Sequence, residues 1–243
     1  MINRSNLVVI ICMIMGLAVL TALGTWQVNR LYWKEELIER VQQRIASEPT
    51  ALPSMLEQGL NKDIHEYKTV FVEGVFDHAS EVYFFTTGKG GASGWNVHTR
   101  LLLYDGSSII VNRGFVPFDL KDQANRLDGL VEGKQKVEAL LRFPLDERPL
   151  GSLENSPDTR EFYWRNVGEM SAVMTGPSET YLPVILDQLE TDRSGTWPKG
   201  GTTITNFPNN HLQYAVTWYG LALTLLGVGG YFLVSRRRTE NDE

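Results

Sequence analysis

Two long uncharged stretches, one near each end, constrain the fold of this chain most strongly. Residues 7–26 form a run of 20 residues without a charged side chain, and residues 214–234 form a second run of 21. A 20-residue α-helix is about 30 Å long, which is about the thickness of the hydrocarbon core of a bilayer. We therefore predict a membrane protein with a transmembrane helix at residues 7–26 and another at residues 209–234, the second with an interfacial start.

The alternative for the first run is a cleaved signal peptide. Arg4 precedes it, and residues 22–24, "ALG", resemble a small-x-small cleavage site. The run is long for the apolar region of a signal peptide, so we favour a membrane helix.

The basic residues that flank the two runs predict their orientation. Arg4 precedes the first run, and Arg236, Arg237 and Arg238 follow the second. Because Lys and Arg accumulate on the cytoplasmic side, both termini (residues 1–6 and 235–243) are expected in the cytoplasm. The intervening region then lies on the outer side, and we predict a multi-pass protein of the bacterial inner membrane with its soluble domain in the periplasm.

The sequence pattern between the two runs changes from one typical of a helix to one typical of β-strands. Residues 27–48 carry apolar residues three and four apart, which predicts an interfacial or extramembrane helix that continues the first membrane helix to about Pro49. Residues 49–208 are expected to form an outer-side, β-rich domain with minor helices within 50–66 and at 168–174. Strands are predicted at 67–76, 80–87, 95–104, 108–116, 134–143, 161–167, 180–188 and 202–207, with a hairpin turn at Asp105-Gly106 and an edge or bulge at Pro183. The fold class is therefore α+β, with two terminal helices flanking a mainly antiparallel β barrel or sandwich.

Composition argues against several functions. The net charge is −6, so no nucleic-acid partner is expected. The single cysteine, Cys12, lies in the first apolar run, and the chain contains neither Gly-x-Ser-x-Gly nor His-Glu-x-x-His. The histidines, at positions 65, 78, 98 and 211, lack the close spacing of a metal cluster, and Asp77-His78 is interpreted as a turn. We predict that the chain is not an enzyme.

The outer ends of the two predicted membrane helices carry an unusual set of side chains. On the first helix, Trp26, Arg30 and Trp33 share one face, with Lys34 beside them; on the second, His211, Tyr214 and Trp218 share one face. Arg30 and Lys34 lie on the side that the positive-inside rule disfavours, which suggests that they have another role.

These side chains suit a large planar ligand that contains iron and two carboxylates, namely haem. Pro208 and Asn209-Asn210 favour a helix start, so His211 falls near the first turn, where the helix dipole favours a neutral imidazole. That imidazole could be an axial ligand, while Arg30 and Lys34 meet the propionates. The simpler alternative is anchoring, because Trp and Tyr are common at membrane interfaces.

Four separated motifs resemble the surfeit locus protein family of cytochrome c oxidase assembly factors. They are "GTWQVNRLYWK" (24–34), "VEGVFDHASEVYF" (72–84), "VNRGFVP" (111–117) and "NNHLQYAVTWYG" (209–220). The resemblance implies a role in maturing haem-copper oxidase, with haem a bound and passed to the large catalytic subunit. It also implies that a histidine at the outer end of the second helix, here His211, is the haem ligand. Membrane lipid is expected around the two helices, and haem a synthase is a further candidate partner. Residues 144–165 show less of the family pattern.

Two other functions stay open at this point. One is a scaffold that holds an oxidase intermediate without touching haem, and the other is a membrane-tethered periplasmic hydrolase. The glycines of the two runs, Gly16, Gly24, Gly220, Gly227, Gly229 and Gly230, also predict close contact between the two helices.

Overall fold

The computed structural model describes residues 4–88, 90–145, 147–174, 180–191 and 195–241. It divides the chain into two compact units: a helical unit of Met1–Arg40 and Asn206–Glu243, and a sheet unit of Val41–Thr205. Helix α1 covers Arg4–Ala46 without interruption, and the last helix, α5, covers His211–Asn241. Both are long and apolar enough to cross a membrane.

Helices α1 and α5 pair in antiparallel fashion within the helical unit. Near the chain termini, Arg236 donates a hydrogen bond to Oδ1 of Asn6 at 3.2 Å. Near the other end of the pair, the hydroxyl oxygens of Thr25 and Tyr219 lie 3.0 Å apart. Asn6 and Thr25 are about 28 Å apart along the axis of α1, at about 1.5 Å per residue. Polar contacts therefore bracket an apolar length close to that of a bilayer core.

The predicted close contact between the helices is confirmed at three of the six glycines. A Cβ on Gly24 would lie 2.8 Å from the ring of Tyr219, and one on Gly16 would lie 2.8 Å from Leu225; one on Gly229 would clash with Met13. By contrast, a Cβ on Gly220, Gly227 or Gly230 would meet no neighbour within 4 Å. Those three glycines do not serve the contact.

Within its described residues, the sheet unit contains seven strands and three short α-helices, besides several 3-10 turns. In chain order these are β1 (Thr50–Ala51), α2 (Leu52–Glu57), α3 (Lys62–His65), β2 (Thr69–Thr87), β3 (Ser93–Leu103), β4 (Ser108–Pro117), β5 (Lys134–Arg142), β6 (Glu161–Phe162), α4 (Val167–Met174) and β7 (Tyr181–Gln188). The strand order is β1-β2-β3-β4-β7-β5, β5 also pairs with β2, and β6 pairs with β2. The sheet is mixed, because β1, β6 and β7 each make a parallel pair. Its main core lies among Leu101, Ile109, Val111, Leu141 and Leu186.

Three strand predictions were wrong. Residues 67–76 and 80–87 form one strand, β2, with a register shift between Asp77 and Val82, so Asp77-His78 is not a turn between strands. Strand β6 is only two residues long. Residues 202–207 form no strand; within them, Thr203 donates its side-chain hydrogen bond to Asp187 at 2.8 Å.

The C-terminal end of α1 differs from the predicted boundary at residue 48. The helix ends at Ala46, and its last turns belong to the sheet unit, because Val41 is buried and Thr69 donates a hydrogen bond to the carbonyl of Ile45 at 2.7 Å. Elsewhere, Pro183 lies opposite a register shift between Ser108 and Ile110, which confirms the bulge.

The segment at 144–165 is partly integrated into the sheet unit. Its second half docks on β2, where the amide of Tyr83 donates to the carbonyl of Arg160 at 2.8 Å. In its first half, Leu150 and Leu153 are exposed.

Candidate functional site

His211 is the first residue of α5, which begins two residues after the predicted start at 209 and has His211 in its first turn as predicted. Its backbone N–H donates to Oδ1 of Asn209 at 3.4 Å, and the amide of Tyr214 donates to the carbonyl of Asn210 at 3.3 Å. The side chain of Asn209 thereby occupies one of the amide groups that a helix start leaves without an intrahelical partner. The imidazole is therefore held at a defined helix end.

Gln27 of α1 contacts the imidazole of His211 directly. Its Oε1 lies 2.7 Å from Nδ1 of His211. Because an amide oxygen can only accept, Nδ1 carries the proton, and the lone pair of the neutral ring resides on Nε2. Nε2 makes no hydrogen bond to any residue that the structure describes. One ring nitrogen, Nδ1, is therefore hydrogen-bonded, and the other, Nε2, is available to a ligand.

Sequence reasoning missed Gln27, although it lies within the motif at 24–34. A signal was present in its spacing: Gln27 follows Gly24 by three residues, and so lies on the same face of α1. Both are buried, whereas Trp26 is 53% exposed. The face that meets α5 therefore carries Gly24 and Gln27, and the predicted face with Trp26 and Arg30 lies beside it.

The predicted aromatic residues lie on α1 and α5 within about two helical turns of Gln27 or His211. Trp26, Trp33 and Tyr214 are about half exposed, and Trp218 is partly buried. Across the described part of the chain, no hydrogen bond or ring contact joins these four side chains to His211. They provide apolar surface near the helix ends.

The two predicted cations remain open to an anionic partner. The guanidinium carbon of Arg30 lies 4.1 Å from the ring centroid of Trp33, so the structure joins these two site residues. Lys34 is partly buried. Neither forms an ion pair with another residue for which the structure describes the side chain. Arg30 follows Gln27 by three residues, or about 4.5 Å along the helix axis.

The other three histidines belong to the sheet unit. Nδ1 of His65 accepts a hydrogen bond from the amide of Asn61 at 2.9 Å, and burial lowers the pKa of His65. His98 is completely buried, and desolvation together with the nearby Arg165 lowers its pKa to about 4. No group of three or more His, Cys, Asp or Glu side chains that could hold a metal ion occurs in the described ranges.

A buried charge cluster joins the motifs at 72–84 and 111–117. The two terminal guanidinium nitrogens of Arg126 donate to the carboxylate of Glu81, and Nη1 of Arg113 lies 3.7 Å from the same carboxylate. All three side chains are at most 7% exposed. Sequence reasoning did not identify this cluster, because it depends on a loop residue, Arg126, that no motif contains.

The chain matches known proteins over most of its length. The model of the SURF1 family matches residues 14–223. Surfeit locus protein 1 of Homo sapiens is 34% identical over 216 residues, which cover 82% of this chain and 69% of that protein. Surfeit locus protein 1 of Takifugu rubripes is 32% identical over 215 residues, covering 82% and 86%, and the SURF1-like protein of Monosiga brevicollis is 33% identical over 216 residues, covering 84% and 79%.

The matched range contains the whole helix-end site, from Trp26 to Lys34 on α1 and from His211 to Trp218 on α5. It also contains the buried charge cluster of the sheet unit. The sheet unit and the four motifs therefore fall within the similarity, and the chain belongs to the SURF1 family.

Proposed function

We propose that this chain is a non-enzymatic assembly factor for cytochrome c oxidase that binds haem a at the outer ends of its membrane helices and aids its insertion into the catalytic subunit. Family membership implies the role in oxidase assembly. The observation that supports haem binding is the imidazole of His211, whose Nδ1 is engaged by Gln27 while Nε2 is available.

The residues at the helix ends fit the chemistry of a haem. Nε2 of His211 would bind the iron, and Arg30 and Lys34 would pair with the propionates. Trp26, Trp33, Tyr214 and Trp218 would pack against the macrocycle, and the isoprenoid tail would lie in lipid. When bound, the haem supplies the iron centre that the oxidase requires. A single neutral imidazole suits a carrier, since a carrier must release its cargo.

The proposal includes a location and partners. The protein would lie in the bacterial inner membrane, with both termini in the cytoplasm and the sheet unit in the periplasm. The sheet unit would be a small β barrel, because its five long strands pair in a ring. Its partners would be the oxidase catalytic subunit, haem a synthase and membrane lipid. A reporter fused after Glu243 should be active only in the cytoplasm; activity only in the periplasm would contradict the orientation.

The test of haem binding is a spectrum of the protein purified from a host that makes haem a. The wild type should carry haem absorbance, and His211→Ala should lose it. His65→Ala is the matched control, because it removes an imidazole of the sheet unit, and it should keep wild-type absorbance. Wild-type haem content in His211→Ala would overturn the proposal, and unchanged oxidase binding by that variant would then favour a scaffold.

A further inference from the structure

We propose that Gln27 is a positioning residue for the haem ligand: it holds His211 in the tautomer that presents Nε2 to iron and keeps this ligand weak enough for release. This inference rests on the proposed function. The contact that carries it is the 2.7 Å hydrogen bond between Nδ1 of His211 and Oε1 of Gln27, which joins residues 184 positions apart.

The position of Gln27 is fixed by the helix pair. Gly24, one turn earlier, lets the ring of Tyr219 approach the backbone of α1 closely. Gln27 itself is only 9% exposed and lies in the interior of a continuous helix. A buried side chain on a rigid element has few rotamers available, so the acceptor is pre-organised before any ligand arrives.

Metal-bound histidines usually donate their second ring N–H to a nearby acceptor, which selects the tautomer and orients the ring. Gln27 provides that acceptor from the neighbouring helix. Without it, the Nε2–H tautomer would be available, and the nitrogen exposed to a ligand would carry a proton in place of a lone pair.

The choice of an amide also matters. A carboxylate at this position would accept a stronger, charge-assisted hydrogen bond and would make the imidazole a more basic iron ligand. A neutral amide orients the ring with less electronic effect. An assembly factor that must hand its haem onward gains from this weaker ligation, whereas a permanent haem protein gains from a stronger one.

The alternative is a purely structural role, in which the hydrogen bond between Gln27 and His211 only holds two membrane helices together. Thr25 and Tyr219 supply a matched control, because their hydrogen bond also joins α1 to α5 but does not involve the imidazole. A purely structural role predicts similar consequences from the loss of either bond.

The experiment compares full-length wild type, Gln27→Leu, Gln27→Glu and Thr25→Val, all in detergent. The tautomer of His211 is measured without haem by nitrogen-15 NMR of histidine-labelled protein, with the resonance assigned by its loss in His211→Ala. We expect the Nδ1–H tautomer in wild type, Gln27→Glu and Thr25→Val, and its loss in Gln27→Leu.

Haem affinity and midpoint potential are then measured by titration of the same four proteins with haem. Gln27→Leu should bind haem about 10- to 100-fold more weakly. Gln27→Glu should bind more tightly and shift the potential to a more negative value, and Thr25→Val should match the wild type in both properties. Wild-type tautomer and affinity in Gln27→Leu, or an equal loss in Thr25→Val, would overturn the inference. If His211→Ala instead keeps its haem, the proposed function itself has failed, whatever the tautomer.

Discussion

Nδ1 of His78 accepts a hydrogen bond from Nη1 of Arg113 at 3.3 Å, while its Nε2 donates to the carbonyl of Val131 at 2.8 Å. Arg113 is always a donor, so this contact assigns the tautomer of His78. Behind it, the carboxylate of Glu81 lies between Arg113 and Arg126. In the sheet unit, the buried carboxylate of Glu81 thereby serves two guanidinium groups.

Replacement of that carboxylate should destabilise the protein strongly. Glu81→Gln leaves two buried guanidinium groups without their anion, so we expect the free energy of unfolding to fall by about 3–5 kcal/mol. Chemical denaturation of the full-length protein, followed by tryptophan fluorescence, measures it. The matched control is Glu73→Gln, which breaks the exposed pair with Lys134 and should cost less than about 1 kcal/mol. Equal losses would contradict the prediction.

The buried His98 should make the sheet unit sensitive to acid. Desolvation and Arg165 depress its folded pKa to about 4, below the unfolded value of 6.5. The unfolded state therefore binds more protons between these values, so the contribution is complete above pH 6.5 and is lost as the pH falls toward 4. The total is about 3 kcal/mol, at 1.36 kcal/mol per pKa unit. The free energy of unfolding of wild type and His98→Leu, measured between pH 4 and 6.5, tests this contribution. The free energy of the variant should depend less steeply on pH.

The contact between the helices should depend on Gly24 and not on Gly220. Gly24→Leu would place atoms against the ring of Tyr219, whereas a side chain at Gly220 would enter open space. With Cys12→Ala, Met13→Cys and Gly229→Cys in one background, we expect efficient disulfide cross-linking. Addition of Gly24→Leu should reduce its yield several-fold, and addition of Gly220→Leu should leave it unchanged. Equal yields in the two variants would argue against the observed interface.

Arg30 should contribute to haem affinity without affecting iron ligation. Arg30→Ala removes a guanidinium that pairs with a propionate under the proposed function, so the dissociation constant should rise about 10-fold, the equivalent of about 1.4 kcal/mol. Arg30→Lys should rescue only partly, because an ammonium cannot form the bidentate contact. Titration with haem measures the dissociation constant, and the optical spectrum of the bound haem reports iron ligation. A spectrum of Arg30→Ala that differs from that of the wild type would contradict the prediction.

The sequence by itself determined the features that depend on local chemistry. The two uncharged runs predict α1 and α5, since length and apolarity suffice to recognise such helices. The start of α5 at His211 follows from Pro208 and the two asparagines, and the Asp105-Gly106 turn joins β3 to β4 as expected.

Tertiary structure alone decided which residues meet. The six helix glycines look alike in the sequence, but the rotation of each helix about its axis places only Gly16, Gly24 and Gly229 at the contact. The same rotation brings Gln27 to His211 and leaves Trp26 outside. In the sheet unit, the return of β5 to β2 likewise depends on register between distant segments. Pairings of this kind arise from packing over the whole chain; a local period can place a residue on one face of a helix, but it does not specify the partner of that residue.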